Sequence, residues 1–206
     1  MASSSRSENL FNPMRLFVDI AVIMVAGLVL GGLLSKLSIE NNLGFGALKI
    51  GQWTAWPQAG SRDADPYTKA KVAADGEVPL GAAEGIAFHG RTDETGEPLN
   101  LKCSYLLQGS TPNARLWTLA AHRNDGSAVG NGLGNAASLV SRNIVRDQSG
   151  RFSITVGPQL AAGNWLQTSG DGPFELVFRL YDSPVTASGG IVDPEMPIIR
   201  LMGCQQ

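Results

Sequence analysis

The residues of this chain with chemistry to offer are few. It has two histidines and two cysteines, with acids and arginines set among apolar neighbours. His89 and His122 are the histidines, so a Ser-His-Asp triad must draw its base from one of them. No Gly-x-Ser-x-Gly turn is present to lift a serine nucleophile. His122 runs into Arg123, Asn124 and Asp125, which reads as a strand end and a turn. Paired carboxylates for glycoside hydrolysis must flank a cleft. Glu84 and Glu175 are the acids to nominate, but sequence does not fix their separation. No catalytic residue is therefore assigned. Two Cys and two His so far apart do not have zinc-site spacing, so neither metal nor cofactor is assigned. Gly130-Asn131-Gly132-Leu133-Gly134-Asn135 lacks the lysine of a phosphate loop and the dinucleotide spacing. It reads as a flexible loop.

Residues suited to binding are more numerous. Trp117, Trp165, Tyr105 and Tyr181 bring the flat faces that stack on sugars. His122, Asn164 and Arg179 bring polar groups that orient a ligand. The plainer reading sends strand aromatics into the core, and has Asn164, after Gly163 in a turn, capping backbone. Arg179 lies in an apolar run. If its face is covered, it needs a carboxylate partner, and Glu84 is the candidate.

Short strands must position these groups. Runs at 84–90, 101–107, 115–121, 152–156 and 174–181 alternate to varying degrees. Turn material separates them at Asp93–Gly96, Asn124–Gly126 and Gln148–Gly150. With 25 Gly and 11 Pro spread along the chain, this pattern predicts a mainly-β, jelly-roll-like sandwich with one or two short helices. In the run from Phe174, residues Phe174, Leu176, Phe178 and Leu180 share one face and should be core. One helix is predicted where Asp65 precedes Pro66, with Asp75-Gly76 as its end.

The N-terminal third is different. Residues 1–15 read as a polar, disordered cytoplasmic tail. Residues 16–35 read as a transmembrane anchor, because Leu16 to Leu34 is apolar except for Asp19 and a bilayer core of about 30 Å needs roughly 20 such residues. The end of the run, Leu33-Leu34-Ser35-Lys36, is a poor cleavage site. The anchor should therefore stay, in contact with inner-membrane lipid. The expected orientation puts the C-terminal domain in the periplasm of a bacterial cell. Residues 36–62 read as a stem in which Trp53 and Trp56 dock on the domain, and 63–206 as the folded domain. That address, with an even number of cysteines, predicts a Cys103–Cys204 disulfide. A net charge of −2 and a pI near 5.7 leave no basic surface for general nucleic-acid binding.

Several stretches carry a resemblance. They are Ala83-Glu84-Gly85-Ile86-Ala87-Phe88, Trp117-Thr118-Leu119, Gly163-Asn164-Trp165-Leu166, Gly172-Pro173-Phe174 and Arg179-Leu180-Tyr181, with Pro194 and Pro197 beyond. Over roughly 63–204 the chain resembles the bacterial family called domain of unknown function 1214. The resemblance implies a jelly-roll-like domain without assigned catalytic residues. Larger relatives join it to a companion, domain of unknown function 1254, so a separate protein carrying that companion is an implied partner. Many relatives place a Tyr-Asp pair where this chain has His122-Arg123, so a role tied to that pair does not transfer. The leading expectation is a non-catalytic accessory or interaction domain in the cell envelope. The alternatives are a periplasmic module binding glycan or a small ligand, and a hydrolase with an unrecognised site.

Overall fold

The computed structural model describes residues 13–40, 46–76, 78–81, 83–111, 113–135, 137–183 and 195–205. The expected tail lies mostly outside these residues, and so does Pro194. The chain divides into two compact units, Met1–Leu43 and Gly44–Gln206.

The described residues of the first unit form one helix, α1 (Pro13–Glu40). Within it Pro13–Leu37 is long and apolar enough to cross a membrane. At 1.5 Å per residue those 25 residues span about 37 Å, against a hydrocarbon core of about 30 Å. Large side chains such as Phe17, Ile23 and Leu28 are exposed. A helix that is apolar all round is stable only in apolar surroundings.

The second unit is a two-sheet β-sandwich. Its strands are β1 (Leu48–Ile50), β2 (Trp53–Ala55), β3 (Gly85–Gly90), β4 (Cys103–Gly109), β5 (Leu116–Arg123), β6 (Ser138–Val140), β7 (Phe152–Gly157), β8 (Asn164–Gln167), β9 (Phe174–Tyr181) and β10 (Ile198–Cys204). One sheet has six strands in the order β1-β2-β3-β9-β5-β6, and the other has four in the order β10-β4-β7-β8. β7 and β8 run parallel; the other pairings are antiparallel.

Alternation decides what lies between the sheets. Phe174, Leu176, Phe178 and Leu180 are buried, as are Leu107, Ile154 and Val156 from the facing sheet. Trp117 bridges the layers, its ring centroid 4.8 Å from Phe178 and 5.3 Å from Phe152. Trp53 donates its indole N–H to the Pro197 carbonyl at 2.6 Å. The disulfide joins Cys103 on β4 to Cys204, directly opposite on β10, across 101 residues of sequence.

Helix α2 (Pro66–Asp75) starts and stops where its capping residues dictate. The Asp65 carboxylate accepts the N–H groups of Tyr67 and Thr68 at 2.9 and 3.1 Å and the Thr68 hydroxyl. These bonds satisfy donors that have no partner inside the helix. Gly76 ends it at φ 63°, a left-handed geometry that glycine adopts without a Cβ clash.

Three segments differ from the sequence-based expectation. The stretch read as a stem supplies β1 and β2, of which β2 pairs onto β3 and β1 onto β2; strands of three residues are too short to show alternation. Asn164 and Trp165, expected in a turn after Gly163, begin β8 alongside β7. Residues 198–204 form β10, an edge strand that is mostly exposed and bulged between Leu201 and Gly203. Its apolar pattern is therefore irregular.

Candidate functional site

The outer face of the six-stranded sheet, away from the sandwich core, carries the buried His89 and Glu175. β9 lies between β3 and β5, so its backbone is paired on both edges. Its inward residues fill the core. Its outward residues are Glu175, Val177, Arg179 and Tyr181, and the first two are also buried. Around the outer face of β3 lie Trp56, Pro57, Val72, Pro79 and Leu80. Sequence left open whether this second face is covered; these residues cover it around β3.

Glu175 is the centre of the cluster. Its Oε2 accepts from Arg91 Nε at 2.7 Å, and its Oε1 lies 3.4 Å from His89 Nδ1. His122 is its direct cross-strand partner on β5. The edge of the Trp56 ring meets the His89 ring, with centroids 5.7 Å apart. Burial alone pushes the Glu175 carboxyl up. The hydrogen bond and charge of His89, then the guanidinium of Arg91, outweigh burial and hold it below the usual glutamate range. Glu175 is therefore a fixed anion, poorly suited to pass a proton near neutral pH.

Beside it lies a cavity of about 230 Å³ bordered by Gly76, Val78, His122, Glu175, Val177 and Arg179. No hydroxyl, thiol or amine side chain is among these lining residues. His122 Nδ1 lies 3.1 Å from the Gly126 carbonyl, which ties the ring to the turn after β5. Among the described residues no three His, Cys, Asp or Glu side chains are grouped to hold a metal ion.

The residues nominated from sequence do not converge on one place. His122 and Arg179 share the cavity just described. Trp117 is a core residue, 2% exposed, and offers no face for a sugar to stack on. Trp165 is half-buried on β8 and donates its indole N–H to the Gly157 carbonyl at 3.0 Å. Asn164 is a brace, as the plainer reading expected. Its amide donates to the Val145 and Ser153 carbonyls and its oxygen accepts the Val145 N–H. Tyr181 ends β9 between Gly85 and Leu116. The Glu84 carboxylate accepts the Gly81 N–H at 3.0 Å, within its own turn.

The Arg91–Glu175–His89 arrangement is the feature that sequence reasoning missed. A signal existed, since Glu175 sits as close to apolar neighbours as Arg179 does. What hid the answer was the register that brings the residue after β3 alongside the second residue of β9.

Comparison with known proteins adds the family and the fold. Residues 84–185 match the family described as "Protein of unknown function (DUF1214)". No curated protein matches the chain. Among solved structures it is similar to the VPA0106 protein from Vibrio parahaemolyticus, at 23% identity and a TM-score of 0.54, over 68% of this chain and 36% of that one. It also matches a putative uncharacterized protein from Burkholderia cenocepacia at 16% identity and a TM-score of 0.40, over 72% of this chain and 46% of that one. The chain thus spans between a third and a half of the solved chains it matches.

Proposed function

We propose that this chain, which belongs to the DUF1214 family through residues 84–185, is a membrane-tethered accessory domain of the bacterial cell envelope. It acts by holding a partner protein rather than by turning over a substrate. The observation that carries this reading is the pairing of a fully exposed apolar helix with a separately folded sandwich. Such a helix anchors its domain beside other membrane components, with lipid along Leu16 to Leu34.

Two further features support it. The ionisable cluster on the outer sheet face is locked by its own hydrogen bonds, with Glu175 held as an anion against Arg91. The Cys103–Cys204 bond fits the oxidising, periplasmic side of an inner membrane. The partner we favour is a separate chain carrying domain of unknown function 1254. The solved VPA0106 chain is much longer than the part matched here, which leaves room in it for a second domain.

The test is a pull-down of tagged full-length protein from detergent-solubilised native membranes, read by mass spectrometry, with the intact mass measured on the same material. Recovery of one envelope protein with an uncleaved N-terminal helix is the expected result. A mature mass lacking residues 16–35 refutes the tether. Absence of any specific partner refutes the accessory role.

A further inference from the structure

A second cleft lies at the end of the sandwich where β4 leaves, β5 begins and β7 begins. Its volume is about 440 Å³, within the roughly 300–1,000 Å³ of small-molecule sites. Three arginines line it: Arg115, Arg142 and Arg146. No Asp or Glu is among its lining residues, although the chain as a whole has a net charge of −2. Asp182 reaches Arg115 at 3.2 Å, but both side chains are more than two-thirds exposed, so water screens that pair heavily.

The three cations are held differently. Arg146 donates to the Gly150 carbonyl at 3.0 Å, and its guanidinium lies 5.6 Å above the Trp117 ring and 5.4 Å from that of Phe152. This stacking fixes the plane of the fork before a ligand arrives, which lowers the ordering cost of binding. Arg142 is exposed on the short 3-10 helix Ser141–Asn143. Trp117 also lines the cleft, and its indole Nε1 is buried with no acceptor among the described residues. A buried donor left unpaired is costly and is uncommon in folded proteins. Around the cations stand the hydroxyls of Ser110, Thr111 and Ser141 and the amide of Asn113.

We infer that this cleft binds an oxyanion carried on a hydroxylated scaffold, a sugar phosphate or a uronic acid. Guanidinium forks match the planar, multidentate geometry of carboxylate and phosphate oxygens. The ring of hydroxyl and amide groups matches the polyol. The site shares only Trp117 with the ligand-binding residues nominated from sequence, and here Trp117 serves as floor and not as stacking face. The inference is independent of the accessory role, which depends on the tether and a protein partner.

The test is isothermal titration of full-length protein in lauryldimethylamine oxide micelles, whose headgroup is not a sugar. The titrants are glucose 6-phosphate, glucuronate, glucose and inorganic phosphate. At least one anionic sugar is expected to bind with a Kd below about 1 mM, with glucose and inorganic phosphate at least about tenfold weaker. Arg142→Glu should weaken that binding at least about tenfold. Asn113→Asp, which adds a carboxylate at an exposed lining position, should weaken it as well. Arg62→Glu makes the same charge change outside the cleft's lining residues and should leave it unaltered. Failure of both anionic sugars to bind overturns the inference. So does inorganic phosphate binding as tightly as the sugar phosphate, or an Arg142→Glu protein that binds like wild type.

Discussion

Replacing Glu175 with Gln removes one charge from a buried network while keeping the side chain's shape. The carboxylate is 8% exposed and its nearest partner, Arg91, is 27% exposed. Breaking a fully buried ion pair by deleting one partner costs about 3–5 kcal/mol, mostly because the other charge is stranded. Arg91 can regain part of its hydration, so the expected cost is about 2–3 kcal/mol. For a domain of this size that lowers Tm by roughly 4–12 °C. The assay is urea unfolding of the full-length protein in detergent, followed by tryptophan fluorescence. All four tryptophans lie in the sandwich unit, so α1 does not contribute to the signal.

The pH dependence provides a second readout with a defined sign. Glu175 in the folded protein has its carboxyl held below the usual value by His89 and Arg91 acting against burial. Its stabilisation is therefore full above the unfolded glutamate value of about 4.3 and is lost as pH falls through the folded value. The gap between wild type and Glu175→Gln should be widest at neutral pH and close on acidification. Glu94→Gln, which breaks the exposed Glu94–Arg200 pair, should cost no more than about 1 kcal/mol. If Glu175→Gln unfolds within about 0.5 kcal/mol of wild type at pH 7, the network carries no stability and the reasoning fails.

Other outcomes follow from individual contacts. Changing both Cys103 and Cys204 to Ser frees a separation of 101 residues and should cost about 2–4 kcal/mol, with about 4.7 kcal/mol as the chain-entropy ceiling; urea unfolding with and without reductant measures it. Gly85→Ala places a Cβ 2.1 Å from the Leu180 carbonyl oxygen, so β3 must part from β9; a loss of about 3 kcal/mol or more and faster amide exchange on both strands are expected. Asp65→Ala strips α2 of its N-cap and should cost about 1 kcal/mol, with amide exchange rising first at Tyr67 and Thr68.

Local chemistry made much of this protein readable without coordinates. The membrane-length helix follows from an unbroken apolar run. The ends of α2 follow from Asp65, Pro66 and Gly76, each acting on backbone groups one to three residues away. The inward faces of β5, β7 and β9 follow from alternation, since a strand must turn successive side chains to opposite sides. The two-sheet sandwich follows from the number and spacing of such strands.

Other features depended on residues distant in sequence and were decided only by the tertiary structure. β2 forms on the edge that β3 offers and β1 on the edge of β2, and nothing within three-residue strands announces that. Sequence could name Glu84 as a carboxylate for Arg179 if that face is covered, but not the register that seats Glu175 beside Arg91 and His89, 84 and 86 positions away in the chain. The arginine cleft has the same origin: Arg115, Arg142 and Arg146 meet because the ends of strands from both sheets converge there. Periodicity tells which way a side chain points, but strand order and register determine what it meets.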